Sequence, residues 1–184
     1  MTNFYTNYFE DISKYIAKID NDDLISAANI IMDASKNNKK IIIAGNGGSA
    51  AMASHVCVDL VKAAEIRAVN FNEADLITCF ANDYGYENWV MKAIEAYADE
   101  GDVVILISSS GQSQNIIKAA DKAKESNLPL ITLSGFMSSN PLRTKGDINL
   151  WLDSSQYNYV EMTHHIWLLA IVDYIISMKK SSLS

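Results

Sequence analysis

The chain has 184 residues, 49% hydrophobic and 20% charged, with 15 basic against 22 acidic side chains and a formal net charge of −7. That length allows one domain with a sizeable core, and the composition excludes intrinsic disorder. The acidic balance argues against a nucleic-acid partner, because binding a phosphate backbone takes a basic face.

Cys57 and Cys79 both lie in apolar segments and read as reduced core thiols, with no CxxC spacing or disulfide framework. Met1-Thr2-Asn3-Phe4-Tyr5 lacks a basic region leading into an apolar run, so no signal peptide is expected. The apolar run from Ile166 to Met178 contains Asp173 and is short for a bilayer span. A cytoplasmic protein with no membrane partner is expected.

Apolar positions recur at helical spacing over 3–19 (Phe4, Tyr8, Ile12, Tyr15, Ile16, Ile19) and again over 22–36, where Asn37-Asn38 ends the pattern. The first helix carries more aromatics than covering one small sheet needs. Residues 1–36 are therefore expected to form a helical pair in an oligomer interface, with plain core packing as the alternative. Lys40–Ala44 is a short apolar run without alternation, the pattern of a strand buried on both faces. It meets a glycine turn, Gly45-Asn46-Gly47-Gly48, and then a helix over Ser49–Lys62. Ile66–Phe71 reads as a strand. Ala74–Ala81 and Tyr86–Ala98 read as helices around a polar break, Asn82-Asp83-Tyr84-Gly85.

Asp102–Ile107 is the clearest strand, and it runs into Ser108-Ser109-Ser110-Gly111-Gln112-Ser113 and a helix to about Glu125. A strand over Leu128–Leu133 tolerates Pro129 only in its first residues. Asp147–Leu152 is a last strand, and Glu161–Met178 a long final helix. Strands alternating with helices at this spacing predict an α/β fold with a doubly wound parallel sheet, in one domain over 1–184.

Two loops directly follow strands, and in such sheets ligands bind beyond the carboxyl ends of the strands. The first loop offers backbone amides at a helix start, together with Ser49; the second offers Ser108, Ser109, Ser110 and Ser113 at another. One serine at a helix start is explained by capping, but four in six positions point to a phosphate monoester. Gly45-Asn46-Gly47-Gly48 does not complete G-x-G-x-x-G, since Ala50 stands at the sixth position, and no Gly-Lys-Ser/Thr of a P-loop is present. A nucleotide is not expected.

The segments Ile43–Ala50 with His55, Ile107–Ser113 with Asn115–Ala119, and Ala81–Tyr86 resemble the sugar isomerase (SIS) domain family. Within it the likeness is to the phosphoheptose isomerases, which interconvert sedoheptulose 7-phosphate and a heptose 7-phosphate for surface polysaccharide precursors. The resemblance implies a five-stranded parallel sheet flanked by helices, and a homotetramer with active sites between subunits. It also implies that Asn46, Gly47, Gly48, Asn82 and Asp83 touch the sugar, that Ser108, Ser109, Ser110 and Ser113 hold the phosphate, and that His55 is a zinc ligand.

The chain departs from that family at three positions: Asp59 replaces a glutamate that serves as base and metal ligand, Glu161 a glutamine, and Leu169 a ligand histidine. Read from the residues themselves, His55 and Asp59 share a helix face at i,i+4, as do Glu161 and His165. Together they are candidates for a zinc-like N₂O₂ site, against solvated carboxylates and an ordinary helix ion pair. Aldose–ketose isomerisation needs a base at carbon and an acid at the carbonyl oxygen. Asp59 is the candidate base, His165 the candidate acid, and Glu161 a substrate contact. Two functions follow. One is a phosphosugar isomerase, acting on the heptose phosphate or on another sugar. The alternative is a non-catalytic SIS protein that binds a phosphosugar or a protein, as one relative binds a replication initiator.

Overall fold

Ile41, Ile42 and Ile43 have no solvent exposure, and burying each contributes about 2 kcal/mol. They begin β1 (Ile41–Gly45), a strand covered on both faces as its lack of alternation predicts. The computed structural model describes residues 3–181, so the ends of the expected 1–184 domain and the start of the expected 1–36 helical pair lie outside the described residues. Ahead of β1 come α1 (Phe4–Ile16) and α2 (Asn21–Lys36). After it follow α3 (Gly48–Lys62), β2 (Ala68–Asn70), α4 (Ala74–Tyr84), α5 (Trp89–Tyr97) and β3 (Val103–Ser108). The chain continues through α6 (Gln114–Glu125), β4 (Leu130–Ser134), a 3₁₀ turn over Pro141–Thr144, β5 (Ile148–Trp151) and α7 (Tyr157–Ser181).

Among the described residues these strands form one parallel sheet in the order β2-β1-β3-β4-β5, within a single α/β domain. One face is covered by α2, α3 and α7, which pack Ile31, Met52, Leu60 and Trp167 on Ile41, Ile43 and Ile105. The other is covered by α5 and α6, which set Val90, Ile94 and Ile116 against Ile42, Val104 and Leu106. No helix among the described residues is long and apolar enough to cross a membrane.

Several expectations change. α4 continues through Asn82 and Asp83 to Tyr84 and ends at Gly85, whose φ of +86° breaks the helix, so the polar break is shorter than its residues suggested. α7 begins at Tyr157, four residues before the apolar periodicity starts. Cys57 is buried as expected, but Cys79 is exposed on α4. α1 has no fully buried side chain, though its Tyr15 packs partly buried against the first core cluster. Tyr8 and Tyr15 lie on Tyr159, at ring-centroid distances of 4.7 and 5.3 Å.

α7 is tied to the sheet by His164, which is fully buried and donates from Nε2 to the Ser134 carbonyl at 3.0 Å. Burial holds this imidazole down to about 4, from an ordinary 6.5. Between those values the unfolded chain binds a proton that the folded chain refuses. Stability is therefore full above pH 6.5 and falls as the pH drops toward 4, by about 3 kcal/mol from this group. Denaturant titrations across that range are expected to show the loss in the wild type, and a pH dependence flatter by that amount in His164→Gln.

Candidate functional site

β1 leads to β2 on one side of the sheet, while β3 lies on its other side, paired so that Gly45 faces Ile107. The winding reverses between these two strands, so the loops leaving their carboxyl ends diverge and open a crevice. The glycine loop leaves β1 and the serine loop leaves β3. Each feeds a helix, so two N-termini point at the same space.

Gly47 caps α3 with φ +54° and ψ −121°, a backbone that side chains resist. At Gly48 the reason for glycine is a neighbour. A Cβ there would collide with the Glu161 carboxylate, coming within 2.7 Å of its Cδ. Glu161, in the second turn of α7, is thereby placed against the start of α3.

The two loops are joined by a reciprocal amide pair. Asn46 Nδ2 donates to Asn115 Oδ1 at 2.9 Å, and Asn115 Nδ2 donates back to Asn46 Oδ1 at 2.8 Å. Tyr86 adds a hydroxyl on the same Oδ1 at 3.1 Å. Most of the Asn46 side chain is thus used in holding the site together. In the serine loop, Ser113 is the N-cap of α6, yet its hydroxyl makes no capping bond and instead meets Ser108 Oγ at 3.1 Å. The buried Ser109 hydroxyl has no protein partner. The loop backbone is braced from β4 by Gly135 N–H donating to the Ser109 carbonyl at 2.9 Å.

The resulting cleft, about 280 Å³, is lined by Asn46, Gly47, Gly48 and Ser49, by Ser108, Ser109, Ser110 and Ser113, and by Tyr157 and Glu161 of α7. Among the described residues neither lysine nor arginine lines it. Its anion-attracting character comes from neutral hydroxyls and helix ends. Tyr157, Asn115 and Tyr86 were missing from the residues picked out as functional. Tyr157 precedes the apolar pattern of α7, and Asn115 and Tyr86 act through Asn46, a contact across the sheet that no spacing encodes.

His55, Asp59 and His165 stand together elsewhere. Asp59 Oδ2 is 3.3 Å from His55 Nε2, and His55 Nδ1 is 3.0 Å from His165 Nε2. Burial first, and then the His55 imidazole, hold His165 below its ordinary range, while Asp59 pulls it upward. The four expected metal ligands, His55, Asp59, Glu161 and His165, are not gathered at one point here: Asp59 and His165 meet opposite nitrogens of the His55 ring. Glu161 is turned to Gly48. Among the described residues no group of three or more His, Cys, Asp or Glu is placed to hold a metal. Leu169 packs on the core, one turn beyond His165. Asn82 and Asp83 are exposed and bonded to each other at 2.9 Å, and do not line this cleft.

Residues 4–135 match the SIS domain. The chain is 31% identical over 179 residues to a phosphoheptose isomerase of Colwellia psychrerythraea, an alignment covering 92% of this chain and 91% of the relative. It superposes on the structure of a phosphoheptose isomerase from Neisseria gonorrhoeae with a TM-score of 0.84 at 28% identity, covering 93% of this chain and 97% of that one. A phosphoheptose isomerase from Francisella tularensis shares the fold, with a TM-score of 0.86 at 23% identity over 97% and 100% of the two chains.

Replacing Asn115 by Ala strands a half-buried amide on Asn46. Chemical denaturation is expected to show a loss of about 1–3 kcal/mol, and calorimetric titration a weaker affinity for phosphosugar.

Proposed function

The chain belongs to the SIS domain family, and from that premise we propose that it is a phosphosugar aldose–ketose isomerase, converting sedoheptulose 7-phosphate to a heptose 7-phosphate. The observation that carries this reading is the cleft at the β1–β3 edge, with a serine-rich helix start on one wall and a carboxylate on another. Ser108, Ser109, Ser110 and Ser113 hold the phosphate. The orphan hydroxyl of Ser109 gains there the partner it lacks within the protein. Asn46, Gly47, Gly48 and Ser49 meet the sugar hydroxyls.

The reaction moves one proton between C1 and C2 through a cis-enediol, while the carbonyl oxygen gains and the neighbouring hydroxyl loses another. Glu161 in the cleft and the chain Asp59–His55–His165 are the groups of α3 and α7 that can carry these protons. The non-catalytic alternative is not favoured. Holding a phosphosugar requires neither a carboxylate facing it nor an imidazole pair, and the relatives are named as isomerases.

The same reading includes assembly of four copies in the cytoplasm. In its support, α1 exposes Phe4, Tyr5 and Phe9, α3 exposes Val58 and Val61, and α7 exposes Met162 and Ile166. Asn82 and Asp83, lying outside their own cleft, are then available to the cleft of a neighbouring copy.

Purified protein is expected to convert sedoheptulose 7-phosphate to the aldose, followed by proton NMR of the anomeric region. Ser109→Ala removes a hydrogen bond to a charged group, and is expected to raise KM about 10- to 100-fold with a smaller effect on kcat. A wild type that binds the phosphosugar without turnover would refute the reading.

A further inference from the structure

The family resemblance makes Asp59 the candidate base, but the geometry points elsewhere. Asp59 lies about three turns along α3 from the cleft wall at Gly48. It is absent from the cleft lining, and its carboxylate is engaged with His55 Nε2 at 3.3 Å. Among the described residues Glu161 is the one carboxylate that lines the cleft. Gly48 lacks a side chain where that carboxylate sits, so the site is built around it. A carboxylate in an anion-binding cleft repels a phosphate that approaches it, a cost with no return if its only task is to bind substrate. The serine loop takes the phosphate at the start of α6, on another element. This leaves Glu161 to the uncharged sugar carbons, where a negative oxygen is useful.

We propose that Glu161 is the general base of this chain, resting on the isomerase reading above. Its carboxylate takes a proton from C1 of the ketose, and the C–H electron pair becomes the C1=C2 bond of the cis-enediol. The C2 carbonyl π pair moves onto O2, which takes the proton of the neighbouring O1 across the cis-enediol. In the second half the C1=O bond forms at O1. The C1=C2 pair then takes the proton from Glu161 at C2. Glu161 ends as it began, and no oxidant or reductant is needed.

The test compares wild type, Glu161→Gln, Glu161→Asp and Asp59→Asn with sedoheptulose 7-phosphate, in turnover and in deuterium uptake at carbon from heavy water. Calorimetric binding and thermal melting are followed in parallel. Glu161→Gln keeps the shape and removes the base. It is expected to lose 100-fold or more in kcat and to stop deuterium uptake, while binding the phosphosugar as well as or better than wild type. Glu161→Asp, with the carboxylate one methylene back, is expected to retain measurable uptake, and Asp59→Asn to fall about 10-fold or less. Wild-type turnover with Glu161→Gln within a few-fold of it, and Asp59→Asn inactive, would overturn the assignment and leave the isomerase reading standing. Wild type that binds phosphosugar but neither turns it over nor takes up deuterium would overturn both.

Discussion

The pairing of β1 with β3 is the constraint on which the rest depends. From β1 the chain winds to β2 on one side of the sheet and then crosses back to β3 on the other, from where β4 and β5 continue outward. That reversal forces two loops, far apart in the chain, to leave from neighbouring strand ends. The reciprocal amides of Asn46 and Asn115 then hold the loops at a set separation. Because both loops start helices, the space between them collects unsatisfied N–H groups as well as serine hydroxyls. An anion site follows from topology before any particular ligand is considered.

The charges around that space are sorted. The serine wall offers neutral donors, which can take a dianion without a fixed countercharge. The carboxylate comes from α7, behind a glycine that leaves room for it. The imidazoles and Asp59 form a separate chain on the outward side of α3 and α7, where His165 is held toward its neutral form by burial. The elements divide the groups: α6 brings a serine-rich start, α3 the backbone cradle and one imidazole, α7 the carboxylate and the second imidazole. Leu169 fits the same division, as a core residue on the helix whose other faces carry the chemistry.

Much of this was legible in the residue order. An unbroken apolar run marked β1 as a two-sided strand, apolar runs marked β3 and β4 as strands, and three glycines and four serines marked both loops. What misled was spacing along helices. His55 and Asp59 do share a face, and so do Glu161 and His165. Sharing a face does not decide which neighbour a side chain meets. In this structure His165 turns to His55 across the helix pair and Glu161 turns to Gly48, so the four side chains are not gathered at one point. The polar Asn82-Asp83 pair looked like a break because its side chains are hydrophilic, but exposed helix accepts such residues and the chain turns only at Gly85.

The sequence by itself determined the α/β class, the order of strands and helices along the chain, the glycine and serine loops and the family. All of these rest on local periodicity, backbone freedom at glycine and donor composition, which neighbouring residues carry between them. Only the tertiary structure decided which carboxylate faces the ligand, because that depends on how α7 crosses α3. The crossing is set by Trp167, Leu168 and Ile171 packing on the sheet, and by His164 holding Ser134, over contacts between residues distant in the chain.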